Sequence, residues 1–265
     1  MRWLPFLTMF ALGLPTAVAE PPATPPAPKT LMVSAGKLLL SDDLNAALGK
    51  DWKASKGKWE LVDGAIRGAE VKADMHGAVA RRNLTMKDAV IEYSFKIDGT
   101  KQTTLSLNGA KGHICRVLVR PTGPTGIAVQ KDDQDGKDGP DKADPLDTVE
   151  VPVKPGEWHT LVIELRGPDI LATLDGKHTA YGSHAGIDVE KTNLGLTVAG
   201  ESASFKGLRV WDSTGTHKNW DAAKAKFLAD KKGKSGWVMQ PPSGSDRSSA
   251  ANHRVRDIGV LGIGV

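Results

Sequence analysis

Glu92 is the carboxylate that the sequence places best for chemistry. In the run 89–98, AVIEYSFKID, Ile91, Tyr93, Phe95 and Ile97 alternate with Val90, Glu92, Ser94, Lys96 and Asp98, so one face of the strand is apolar and the other polar. A carboxyl on such a face suits general acid or base work. Cleavage of a glycosidic bond usually takes two carboxyls, about 5–5.5 Å apart for retention and roughly 6.5–9.5 Å for inversion. Four residues on from Glu92 stands Lys96, not an acid, so the pair would have to be completed by Glu164 or by the aspartates of 131–147. The alternative is a solvent-facing glutamate on the wet side of an antiparallel sheet.

Lys96 shares that face and is a candidate substrate contact, as is Asn108, which follows Thr104 and Ser106 in an expected neighbouring strand with a polar face of its own. Arg116 and Arg120 recur at even spacing in HICRVLVR (113–120). Arginine forks bind hydroxyls and carboxylates bidentately; a structural pairing with Glu92 or Glu164 competes with that role. In the same run His113, Cys115, Val117 and Val119 are expected on the opposite face, with Cys115 a buried, inert thiol.

The stretch KDDQDGKDGPDKADPLD (131–147) holds seven aspartates, self-repelling unless a positive charge sits among them. Calcium, a hard ion that takes oxygen ligands, is the natural candidate, with Asp133, Asp135, Asp138 and Asp141 as ligands. The spacing misses the EF-hand register, and Lys131, Lys137 and Lys142 offer the competing neutralisation of a solvated loop. The seven histidines show no HxH or HExxH spacing, and no serine sits in a G-x-S-x-G elbow. Trp52, Trp59, Trp158 and Trp211 read as framework tryptophans, leaving Trp237 as the one expected to be exposed.

The elements that would position these groups are hairpins. KWELVDGAIRG (58–68) turns at Asp63-Gly64, ILATLDGKHTAY (170–181) turns at Asp175-Gly176, and PGEWHTLVIEL (155–165) opens a strand after Pro155-Gly156. Repeated Trp/Gly-punctuated hairpins imply an antiparallel β-sandwich. With LLLSDDLN (38–45), ATLDGKH (172–178) and GESASFKGLRVWDS (200–213), these segments make the chain resemble the 3-keto-disaccharide hydrolase domain family over residues 37–213. The resemblance implies an all-β, concanavalin-A-like jelly roll, sugar chemistry on a concave face, and secretion from a bacterium. It locates no catalytic residue, and the Glu-x-Asp-x-x-Glu strand of laminarinase-type relatives is missing.

The remaining segments flank that sandwich. Residues 1–19 read as a signal peptide, with Arg2, an apolar run broken by prolines and an Ala17-Val18-Ala19 cleavage site, which implies a secreted or periplasmic protein without a stable membrane span. Residues 20–36 form a Pro/Ala-rich tether, 214–232 carry an amphipathic helix from Trp220, and 233–265 read as a disordered tail. A single cysteine excludes an intrachain disulfide, and a net charge of +4 without a basic, aromatic-laced patch argues against nucleic acid. The expected function is an exported carbohydrate-directed protein, a glycoside or 3-keto-glycoside hydrolase or lyase. The alternatives are a non-catalytic carbohydrate-binding sandwich and an envelope structural or adhesion module.

Overall fold

The computed structural model describes residues 25–121, 126–133 and 142–234. In chain order its strands are β1 (Val33–Asp42), β2 (Trp52–Lys56), β3 (Lys58–Val62), β4 (Ala65–Ala69), β5 (Ala78–Met86), β6 (Ala89–Gly109), β7 (Gly112–Arg120), β8 (Gly126–Asp132), β9 (Ala143–Glu150), β10 (Trp158–Arg166), β11 (Asp169–Leu174), β12 (His178–Ser183) and β13 (Lys191–Thr216). The Asp63-Gly64 and Asp175-Gly176 turns have positive φ at both positions, 49° and 70° in the first and 50° and 65° in the second. Such mirror-image turns match the twist of the strands they join.

Two long strands, β6 and β13, run antiparallel through both layers. The first half of β6 pairs with β10 and its second half with β7, while β13 pairs first with β5 and later with β4 and β1. The first sheet therefore runs β12-β11-β10-β6-β13-β4-β3, and the second runs β2-β5-β13-β6-β7-β8-β9. Both strands bend at Gly99 (φ 80°) and Gly200 (φ 102°), where the register also shifts. Glycine is needed there because L side chains rarely adopt that conformation. Thr100 caps the corner by donating its hydroxyl to the Ala199 carbonyl at 2.6 Å.

The runs expected as two adjacent strands, 89–98 and 104–108, are thus one strand on either side of a bend. Alternation continues through it, so Ile91, Tyr93, Phe95 and Ile97 join Leu105 and Leu107 in one core between the sheets. Cys115 lies in that core, and burial pushes its thiol up to about 12, the inert thiol expected. After β13 comes α1 (Trp220–Lys234); its first residue, Trp220, is buried with its ring 6.0 Å from that of Tyr181.

The sandwich begins at Val33 rather than Lys37 because Glu164 holds the incoming chain. This side chain is 1% exposed, and its two oxygens accept from the backbone N–H groups of Leu31 (2.9 Å), Met32 (2.7 Å) and Val33 (2.9 Å). Burial nevertheless raises its pKa, with the three backbone donors acting in opposition. Glu164 cannot serve as the second carboxyl of a catalytic pair, since both oxygens are committed to the fold. Glu164→Ala, which orphans three donors, should cost about 3 kcal/mol in urea denaturation, with Glu164→Gln losing less because it keeps one carbonyl acceptor.

Candidate functional site

The residues expected to act together lie on opposite outer faces. Glu92 and Lys96 precede the bend in β6 and face outward from the first sheet, whereas Asn108, Arg116 and Arg120 face outward from the second. Glu92 is half-buried, and burial raises its pKa against the opposing pull of the Arg209 guanidinium. A proton held more tightly suits a general acid, but the next carboxylate on that strand face is Asp98, six residues away and so about 20 Å along an extended strand. That exceeds the spacing of either glycosidase geometry.

The second sheet's outer face carries a linked polar network. One row crosses five strands through Arg81, Gly195, Ser106, Arg116 and Gln130. Gly195 lets its neighbour lean in, since a Cβ there would stand 2.7 Å from Ser106 Oγ. Thr104, Ser106 and Asn108 are nearly inaccessible although they point away from the core. The pairing of Arg116 and Arg120 with Glu92 or Glu164 does not occur. Arg116 instead grips Asp132, its Nε donating at 3.0 and 3.1 Å to the two carboxylate oxygens and its Nη2 also donating to Oδ1. Gln130 adds a third donor to Asp132 at 3.0 Å, and Arg120 Nε donates to Gln102 Oε1 at 2.9 Å. The Asp132 side chain is wholly buried, so it departs from the solvated aspartate loop expected around it.

Next to that row lies His113, which the alternation of 113–119 places on the core face. A register shift reverses this: Leu107 pairs with Cys115 while Asn108 pairs with His113, leaving Ile114 as the extra residue. Such a bulge turns the residue before it to the other side. His113 Nδ1 then meets Asn108 Oδ1, and Asn108 Nδ2 donates to Asn193 Oδ1 at 2.7 Å. Because the amide nitrogen is committed to Asn193, Asn108 presents an oxygen that only accepts. The proton of this bond therefore sits on His113 Nδ1.

Of the expected calcium ligands, Asp133 accepts from the Lys142 backbone N–H at 3.1 Å, whereas Asp135, Asp138 and Asp141 lie outside the described residues, as does Trp237. Among the described residues no group of three or more His, Cys, Asp or Glu side chains gathers around a common point. Asp144 and Asp147 belong to β9, and Asp147 accepts from the Tyr181 backbone N–H at 2.8 Å.

The class this architecture defines is the concanavalin-A-like jelly roll. The chain belongs to the family of 3-keto-alpha-glucoside-1,2-lyase-like domains, whose model matches residues 41–211. No curated protein matches it. Similar solved structures include the carbohydrate-binding module CBM66 from Bacillus subtilis, at 16% identity and a TM-score of 0.51 over 61% of this chain and 96% of that one. The κ-carrageenase of Pseudoalteromonas carrageenovora, in complex with an oligotetrasaccharide, is similar at 11% identity and a TM-score of 0.51 over 72% of this chain and 99% of its own. A Bacillus licheniformis β-glucanase gives 9% and 0.50 over 68% and 100%. At such identities these likenesses bear on the fold alone.

Two stability measurements follow from this geometry. Arg116→Met leaves the Asp132 carboxylate buried without its main counter-charge and should cost about 3 kcal/mol in urea denaturation. For Glu92 the folded-state pKa is raised above the ordinary 4.5, so its contribution is fully present below that value and fades as pH rises through the folded pKa. Glu92→Gln should accordingly gain in melting temperature relative to the parent between pH 4 and pH 8.

Proposed function

We propose that this is an exported, carbohydrate-directed enzyme that opens a glycosidic bond activated by a ketone on the sugar, with the outer face of the second sheet as its site. The observation that carries the reading is the His113–Asn108–Asn193 relay, which fixes the imidazole tautomer and orientation as a general base requires. A carbonyl at C3 acidifies the proton on C2. His113 Nε2 removes that proton, the C–H electrons form the C1=C2 double bond, and the C1–O bond breaks with its oxygen taking up a proton. Such an elimination needs one base rather than two spaced carboxylates, in keeping with the commitment of Glu164, diagonal to Glu92 on the neighbouring strand, to three backbone donors. The partly exposed Arg116 offers a guanidinium contact to the sugar beside that base. Family membership supports the same class of substrate. The leader at 1–19 supports export.

A second reading, a non-catalytic carbohydrate-binding sandwich, draws on the Asp132 carboxylate being held by Arg116 and Gln130 rather than presented to a substrate. The two separate on incubation of the protein with 3-keto-glycosides, following the absorbance of the conjugated enone. The expected result is product formation that falls roughly 10²-fold in His113→Ala, with a smaller loss in Asn108→Ala as the tautomer is released. Saturable sugar binding by calorimetry without turnover would favour the second reading. Turnover undiminished in His113→Ala would remove the base from its role.

A further inference from the structure

The first sheet's outer face holds an arrangement that the histidine site does not use. Trp158, at the start of β10, pairs with Lys96 of β6, and the residue is 38% exposed. Lys206 Nζ stands 4.0 Å from the ring centroid and Lys96 Nζ 5.7 Å from it. The indole forms one wall of a cleft of about 210 Å³, closed by the β3–β4 turn at Asp63 and by Arg67, Asp98 and Ser204. That volume falls below the roughly 300–1,000 Å³ of pockets for drug-sized ligands, and it suits a single sugar ring.

The charges of this cleft are incompletely matched. Among the described residues Lys206 has no carboxylate within ion-pair distance, and Lys96 Nζ is 4.0 Å from Asp98 Oδ1. Asp98 also accepts from Ser204 Oγ at 3.2 Å. Arg67 spends Nε and Nη2 on Ser202 Oγ, at 3.0 and 2.7 Å, which holds its guanidinium along the wall without neutralising it. Two cations, Lys96 and Arg67, and two carboxylates, Asp63 and Asp98, line the cleft, and Lys206, outside that lining, stands over the indole as a third cation. A pyranose presents a C–H face that stacks on such a ring, and an ammonium held over an exposed aromatic face is weakly bound. An acidic substituent on the sugar would draw Lys206 off the ring and uncover the stacking surface in the same movement.

We infer that this cleft is a second saccharide site, selective for a sugar bearing a carboxylate, with Trp158 as the stacking platform and Lys206 and Lys96 as the acid-binding groups. It lies on the opposite side of the sandwich from His113, so it acts as an anchoring subsite and takes no part in bond breaking.

The test is calorimetric titration of the full chain at low salt with a trimer of galacturonic acid and with the same trimer fully methyl-esterified. The acid form should bind, the ester at least tenfold more weakly, and added salt should weaken the acid form, as screening requires. Trp158→Ala should abolish binding and Trp158→Phe retain it; Lys206→Met should weaken it about tenfold, and His113→Ala should leave it unchanged. Near-UV circular dichroism checks that each variant is folded. Absence of binding by the parent, equal binding of the ester, or binding that survives Trp158→Ala would each overturn the assignment. Loss in His113→Ala with retention in Trp158→Ala would also overturn it, since the ligand would then occupy the other face.

Discussion

The shared bend of β6 and β13 is the constraint from which the architecture follows. Two neighbouring strands, paired along almost their whole length, leave one sheet and enter the other at Gly99 and Gly200. Backbone pairing therefore runs across the corner, and in β6 alternation passes through it without changing sides. In β13 the register shifts at the bend move the inward set from Leu194, Leu196 and Val198 to Ala203 and Phe205, and together the two strands give the sheets a single apolar core. The same continuity means that one strand supplies polar side chains to two surfaces facing opposite directions, Glu92 and Lys96 on one and Ser106 and Asn108 on the other.

The second-sheet surface shows how polar groups are kept near the limit of burial. Asp132 is out of contact with water, and such a carboxylate is tolerated only with matched donors. Arg116 and Gln130 supply them. The neighbouring amides work differently: Asn193 orients Asn108, and Asn108 orients His113. In this low-dielectric setting each fixed dipole acts more strongly than it would in water. Where hydrolysis by paired carboxylates asks for two acids at a set spacing, a ketone-activated elimination asks for one oriented base.

Much of the sandwich was legible in the sequence because its signals are local. Asp63-Gly64 and Asp175-Gly176 announce their turns, the alternation of 89–98 and 158–165 reports which side faces the core, and Cys115 among valines is a core residue by pattern. The site was less legible because it depends on long-range pairing and on one irregularity. Ile114 is an ordinary strand residue in composition, yet the extra position it occupies moves His113 from the expected inner face to the outer one. Nothing local says that 89–98 and 104–108 are one strand rather than two side by side, so residues assigned to one polar surface fall on two. Trp158 was detectable, since the alternation of 158–165 places it on the same side as Thr160, away from His159 and Leu161. Its aromatic character favoured a framework role, and only its neighbours Lys96 and Lys206, from two other strands, give it a different one.

The ladder between β1 and β13 has a mechanical consequence. Val33 pairs with Thr216, the His217 backbone N–H donates to the Met32 carbonyl at 2.9 Å, and Glu164 pins the segment just ahead of them. The chain thus comes into the sandwich and leaves it at one corner, a strand's width apart. Tension applied between the two ends would load this ladder as a zipper, one rung at a time, instead of shearing all rungs together. Resistance to pulling would then be concentrated in the first few contacts at that corner, with the glutamate as the catch that must give way before the rest can peel.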